Sequence, residues 1–110
     1  MDIRAFPDGW DVAKRLGPYT ESAEVWHSHS VLQLASQLCP KNLALIVDCG
    51  IGDVFIDVNH RLHEEFIGLS IPHDYIERPG GHDPGYWNFA IQVQMHFFHS
   101  FFKSPETASI

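Results

Sequence analysis

The chain has 110 residues, enough for one domain with a thin core, and 45% of them are hydrophobic, which excludes a disordered chain. Fourteen acidic residues against seven basic ones give a net charge of −7. With no Lys/Arg cluster, that charge argues against nucleic acid and anionic membranes as partners.

No apolar run reaches the roughly 18–20 residues that span a bilayer. The start, Met1 to Gly9, lacks the basic-then-apolar plan of a signal peptide. As written, the chain is expected to stay in the cytoplasm, any signal belonging to a longer parent. Cys39 and Cys49 are the only cysteines. Two do not make a disulfide framework, and they read as small buried hydrophobes.

The first forty residues are broken by Pro7, Gly9, Gly17, Pro18 and Pro40, and read as an irregular set of short helices. Asp11–Leu16 makes two helical turns, closed by Gly17-Pro18. Val31–Leu38 makes another helix with Ser30 as its N-cap. After Pro40 the order changes. Leu43-Ala44-Leu45-Ile46-Val47, closed by Asp48-Cys49-Gly50, predicts a parallel strand buried on both faces. Gly50 to Asp53 is a turn. Asp57–Leu69 carries Val58, Leu62, Phe66 and Leu69 at helical spacing, with Gly68 near its end. His73–Arg78 reads as a short strand stopped by Pro79-Gly80-Gly81. A long helix then runs from Pro84 or Gly85 to Phe102, and proline suits its first turn. The expected fold is α/β: one domain over 1–110, in which 41–104 form a right-handed strand–helix–strand–helix unit after a helical segment over 1–40.

In a parallel α/β sheet, functional groups gather beyond the C-terminal ends of the strands. Asp53 follows the first strand and His82 the second. Two glycines before His82 allow a sharp turn that presents the ring. Adjacent parallel strands would set the two loops side by side, where a carboxylate fixes a histidine's tautomer and stabilises the imidazolium. Asp48 and Asp57 are rivals for the acid. The order Asp, then His, matches the last two members of an α/β-hydrolase triad, whose serine lies upstream in Gly-x-Ser-x-Gly. No serine of this chain has that context; the nearest, Gly68-Leu69-Ser70-Ile71-Pro72, lacks the second glycine.

Asp48-Cys49-Gly50-x-x-Asp53, Asn59-x-x-Leu62-His63, Ile71-Pro72-His73-x-Tyr75 and Pro79-Gly80-Gly81-His82-Asp83-x-x-Tyr86-Trp87 carry a resemblance. They look like the C-terminal half of the esterase family of α/β-hydrolases that includes S-formylglutathione hydrolases, tributyrin esterases, feruloyl and acetyl-xylan esterases and mycolyltransferases. Phe6-Pro7-Asp8-Gly9-Trp10 and Leu16-Gly17-Pro18-Tyr19 resemble the segment after the nucleophile elbow of that family. The resemblance implies the C-terminal portion of an α/β-hydrolase parallel sheet with flanking helices. It also implies Asp53 as triad acid, His82 as general base, and a serine elbow and oxyanion loop upstream of residue 1. The implied substrate is a small acyl ester, carbohydrate-linked esters included, with no metal and no cofactor.

Tyr86 and Trp87, one helical turn after His82, read as pocket wall and substrate contacts. His60, His63 and Glu64 stand at i, i+3 without the His-Glu-x-x-His pattern and read as solvated helix surface. His27 and His29 alternate as on one face of an extended segment, with no assigned role. Phe97, Phe98, Phe101 and Phe102 read as core or as a face for a missing half. Two functional readings follow: a serine carboxylic ester hydrolase lacking its serine elbow, or an inactive fragment that acts only as a homo-oligomer or with its partner half. A histidine-rich metal module is a third, weaker one.

Overall fold

A computed structural model describes residues 2–38 and 43–103. It divides into two compact units. One holds the helices before residue 39 together with Asp57–Ile71; the other holds two strands and the C-terminal helix.

The first unit contains a 3-10 turn at Ile3–Ala5, α1 (Val12–Leu16), α2 (Ala23–Ser28) and α3 (Val31–Leu34), the last tightening into a 3-10 turn at Ala35–Gln37. The sequence did not suggest α2. Its anchor is Trp26, fully buried, whose indole N–H donates to the Gly17 carbonyl at 2.8 Å and whose ring meets the edge of Tyr19 at 5.6 Å. A buried indole needs such an acceptor. The single helix expected over Val31–Leu38 is α-helical only to Leu34, and Ser30 does not cap it with its side chain. The Ser30 hydroxyl instead donates to Asp2 Oδ1 at 3.2 Å. Asp2 is buried, and Arg4 donates to it from Nε at 2.8 Å and Nη2 at 3.0 Å. That fork holds the Asp2 carboxyl below its ordinary pKa.

Helix α4 (Ile56–Gly68) buries Val58, Leu62 and Phe66, one face at i, i+4, i+8. Leu69, expected to continue that face, lies beyond the helix and is 39% exposed. The helix closes by donation from Ile71 N to Phe66 O at 2.9 Å and from Ser70 N to Ile67 O at 3.0 Å, with Ser70 at φ 56°. This is a Schellman closure. It makes Ile71 the buried residue in place of Leu69. The left-handed position falls on Ser70, not on Gly68.

The second unit is built on β1 (Ile46–Gly50) and β2 (Asp74–Arg78), which pair in parallel from Ile46↔Asp74 to Gly50↔Arg78. The chain is therefore an α/β protein with a two-stranded parallel sheet. β1 starts three residues later than its apolar run suggests. Asp48 stays in the strand because its buried carboxylate accepts hydrogen bonds from Arg78 Nη2 and the Tyr86 hydroxyl. The expectation of a strand buried on both faces also fails. Cys49 and Gly50 are buried, but Ile46 and Val47 are only half-buried and Leu43 is exposed.

Helix α5 (Pro84–Phe102) starts at Asp83, whose carboxylate accepts from Tyr86 N at 2.9 Å, with proline in the first turn. Ala90 is its buried residue. Phe97 and Phe101 line a groove of about 460 Å³ with Ile46, Ile76 and Val93. Phe98 and Phe102 are not core. They fall with Trp87, Ile91 and Met95 on an exposed stripe, because 100° steps carry these positions off the groove-facing side. No helix among the described residues is long and apolar enough to cross a membrane.

Candidate active site

The ladder between β1 and β2 runs on past the strands. Ile51 N donates to Arg78 O at 2.9 Å, and Gly52 N to Gly80 O at 2.8 Å. This close approach explains two glycines. A Cβ on Gly50 would lie 2.3 Å from Gly80 O, and Gly80 itself sits at φ +133°, a region that side chains avoid. The two loops are thereby held together at the C-terminal end of the sheet.

On the first loop, Asp53 N donates to Gly50 O at 3.0 Å. The Asp53 carboxylate then accepts from Phe55 N at 2.8 Å on Oδ1, an Asx turn that fixes its orientation. Its other oxygen, Oδ2, lies 3.0 Å from Nδ1 of His82 on the second loop. The acid side chain is 7% exposed and the imidazole 51%. The His82 ring lies edge-on to Phe55 at 5.0 Å and to Trp87 at 5.1 Å. Its Nε2 has no hydrogen-bond partner among the described residues. In the neutral ring, contact with the carboxylate favours the proton on Nδ1 and leaves Nε2 as an acceptor. The arrangement can therefore present Nε2 of a half-exposed ring as a proton acceptor, with the carboxylate orienting the ring through Nδ1.

Among the expected site residues, Asp53, His82 and Trp87 come together. Tyr86 does not face His82: its hydroxyl is turned to Asp48. Burial first, and then that hydrogen bond, push the Tyr86 phenol above its ordinary pKa. The rival Asp48 is committed to Arg78 and Tyr86, and Asp57 is exposed on the first turn of α4. The Arg78 guanidinium lies over the rings of Phe89 at 4.5 Å and Tyr86 at 5.2 Å. Sequence reasoning missed this Asp48–Arg78–Tyr86 network. The available signal was an aspartate inside an apolar strand, which needs a partner when buried.

The remaining expectations concern histidines and cysteines. His27 lies on α2 rather than on an extended segment, with Nδ1 3.0 Å from Arg4 Nη1. His29 follows α2 as its C-cap. Among the described residues, no group of three or more His, Cys, Asp or Glu could hold a metal ion. Cys49 is buried within β1, and Cys39 lies outside the described residues.

No described protein family matches the chain, and no curated protein matches it. Among solved structures, it is similar to a ferulic acid esterase, with a TM-score of 0.62 and 22% sequence identity over 84% of this chain. That likeness is one of fold, a partial α/β fold. The match covers 36% of that esterase, so the chain spans about a third of the neighbour's length.

Proposed function

We propose that this chain is the C-terminal portion of an α/β-hydrolase sheet and supplies the acid and base of a serine carboxylic ester hydrolase. The observation that carries the proposal is Asp53 Oδ2 at 3.0 Å from His82 Nδ1, on adjacent loops at the C-terminal ends of parallel strands. The fold likeness to a ferulic acid esterase supports the same reading.

In this mechanism a serine hydroxyl attacks the ester carbonyl while His82 Nε2 takes its proton. The imidazolium then gives that proton to the departing alkoxide, and an acyl-enzyme remains. Water repeats the sequence: it loses a proton to Nε2, releases the acid and restores the serine. Asp53 accepts from Nδ1–H throughout and holds the ring in place. Trp87 and Phe55 shield the ring from lateral water, and Trp87, 48% exposed, contacts the substrate. No Gly-x-Ser-x-Gly occurs in these 110 residues, and this reading takes the serine from polypeptide outside them.

The test is the tautomer of His82. With ring-¹⁵N-labelled histidine and the ring neutral, the proton is expected on Nδ1 in the wild type. In Asp53→Asn the preference for Nδ1–H should weaken. A wild-type ring protonated mainly on Nε2 would refute the assignment, because that nitrogen must accept. In parallel, the chain alone should hydrolyse p-nitrophenyl esters no faster than His82→Ala.

A second reading is an inactive fragment that works only as an oligomer or with a partner half. The exposed stripe Trp87, Ile91, Met95, Phe98, Phe102 favours it, on a helix with no Asp, Glu, Lys or Arg between Pro84 and Phe102. Sedimentation equilibrium at micromolar concentration tests it, and a cooperatively folding monomer throughout that range would refute it.

A further inference from the structure

We infer that Tyr86 is a positioning residue for His82, acting from a buried anchor formed by Asp48 and Arg78. The inference rests on the proposed role of His82 as base.

His82 ends a short turn, Pro79 to His82, between β2 and α5. Both ends of that turn are fixed. Arg78 is in the strand ladder, and Asp83 caps α5. The middle is Gly80, at φ +133°, where a Cβ would meet Tyr86 Cδ2 at 2.7 Å. The tyrosine ring therefore occupies the side of the backbone that a side chain would take, and limits how far the turn can shift toward it. The ring itself is held at its far end. Its hydroxyl donates to Asp48, whose side chain is fully buried and also accepts from Arg78 Nη2. The Arg78 guanidinium lies over the same ring at 5.2 Å.

The result is a closed circuit: from Arg78 to Asp48 in β1, to the Tyr86 hydroxyl, through its ring to Gly80, and back along the chain to Arg78. Trp87, the next residue along the helix, touches the His82 ring. The circuit thus reaches His82 from two directions, through the turn before it and the first turn of α5 after it. A buried carboxylate that loses one of two donors is poorly satisfied, so the circuit resists partial opening.

The experiment uses the full chain with ring-¹⁵N-labelled histidine, comparing the wild type with Tyr86→Phe, Asp48→Asn and Asp53→Asn. The readout is the ratio of Nδ1–H to Nε2–H forms of neutral His82 in folded molecules, with stability measured separately by urea unfolding. Tyr86→Phe keeps the ring on Gly80 but loses its tether. It should lower the ratio by about twofold or more, with about fivefold as the ceiling if the whole of one hydrogen bond of roughly 1 kcal/mol were transmitted to His82. Asp48→Asn should shift the ratio in the same direction. A purely structural role would lower stability and leave the ratio of the folded molecules at its wild-type value. That result in Tyr86→Phe overturns the inference, while a loss in Asp53→Asn alone leaves the acid–base pair standing. A wild-type ratio already favouring Nε2–H refutes the acid–base reading itself, and the inference with it. Should Asp48→Asn not fold, Tyr86→Phe decides.

Discussion

Gly50→Ala should be strongly destabilising although it adds one methyl group. That methyl carbon would lie 2.3 Å from Gly80 O and 2.7 Å from Gly80 C, where ordinary contact begins near 3.4 Å. Both obstructing atoms are backbone, so no side chain can swing aside and the two loops must separate by about 1 Å. The Gly52 N–Gly80 O hydrogen bond, now 2.8 Å, would then stretch past useful length. Losing it costs about 1 kcal/mol, and the forced shift about 1–3 kcal/mol more. The expected destabilisation is therefore roughly 2–4 kcal/mol, a large share of the stability of a small domain.

Gly68→Ala provides the opposite case. No atom lies within 4 Å of its added Cβ, and the residue is helical. There alanine should stabilise by about 0.5–1 kcal/mol through reduced unfolded-state entropy. Urea unfolding followed by circular dichroism would place the two midpoints on opposite sides of the wild type. Gly50→Ala within about 0.5 kcal/mol of wild type would refute the claim that the loops are held in contact by backbone atoms.

Three further outcomes are expected. Phe66→Ala should destabilise by about 3–5 kcal/mol in the same assay, whereas Leu69→Ala should change stability by about 0.5 kcal/mol or less, because only Phe66 is buried. Arg4 depresses the Asp2 pKa below its ordinary 3.8, so the associated stability is present above about pH 4 and is lost as pH falls through the lower folded value. Arg4→Ala should therefore shrink the acid-induced loss of stability, read as the shift in urea midpoint between about pH 6 and pH 2. The Tyr86 phenol is raised above 10.0, so its contribution is present below that pH and is lost as pH rises through the folded value. In an absorbance titration, Tyr86→Phe should delete an ionisation step lying above pH 10 in the folded chain.

Much of the second unit was legible because its signals are local. The Gly50–Asp53 turn, Pro79-Gly80-Gly81 before His82, and Asp83-Pro84 before a long apolar helix each state their own geometry. The placement of β1 was less legible. An apolar run marks what can be buried, but pairing decides what is a strand, and the pairing here carries β1 on through Asp48. That aspartate is tolerated because of Arg78 and Tyr86, thirty and thirty-eight residues away in sequence. Helix α2 was missed for the same reason: Trp26 finds its acceptor at Gly17, a contact no periodicity reveals. In α5, four clustered phenylalanines suggested core or a face for a missing half, and the helix turn separates Phe97 and Phe101, on the groove, from the exposed Phe98 and Phe102.

The parallel register has a consequence for insertions and deletions. The last strand pair, Gly50↔Arg78, is a common origin from which Asp53 is counted three residues along one arm and His82 four along the other. Adding or removing one residue in either arm displaces one partner by up to about 3.3 Å, more than the present hydrogen bond can follow. The stretch between α4 and β2 is not part of either count. A residue inserted at exposed Pro72 changes the length of the chain between the strands but not which residues pair. Length variation should therefore be tolerated around Pro72 and rejected between Gly50 and Asp53 and between Arg78 and His82, an asymmetry that a scan of single-residue insertions would display directly.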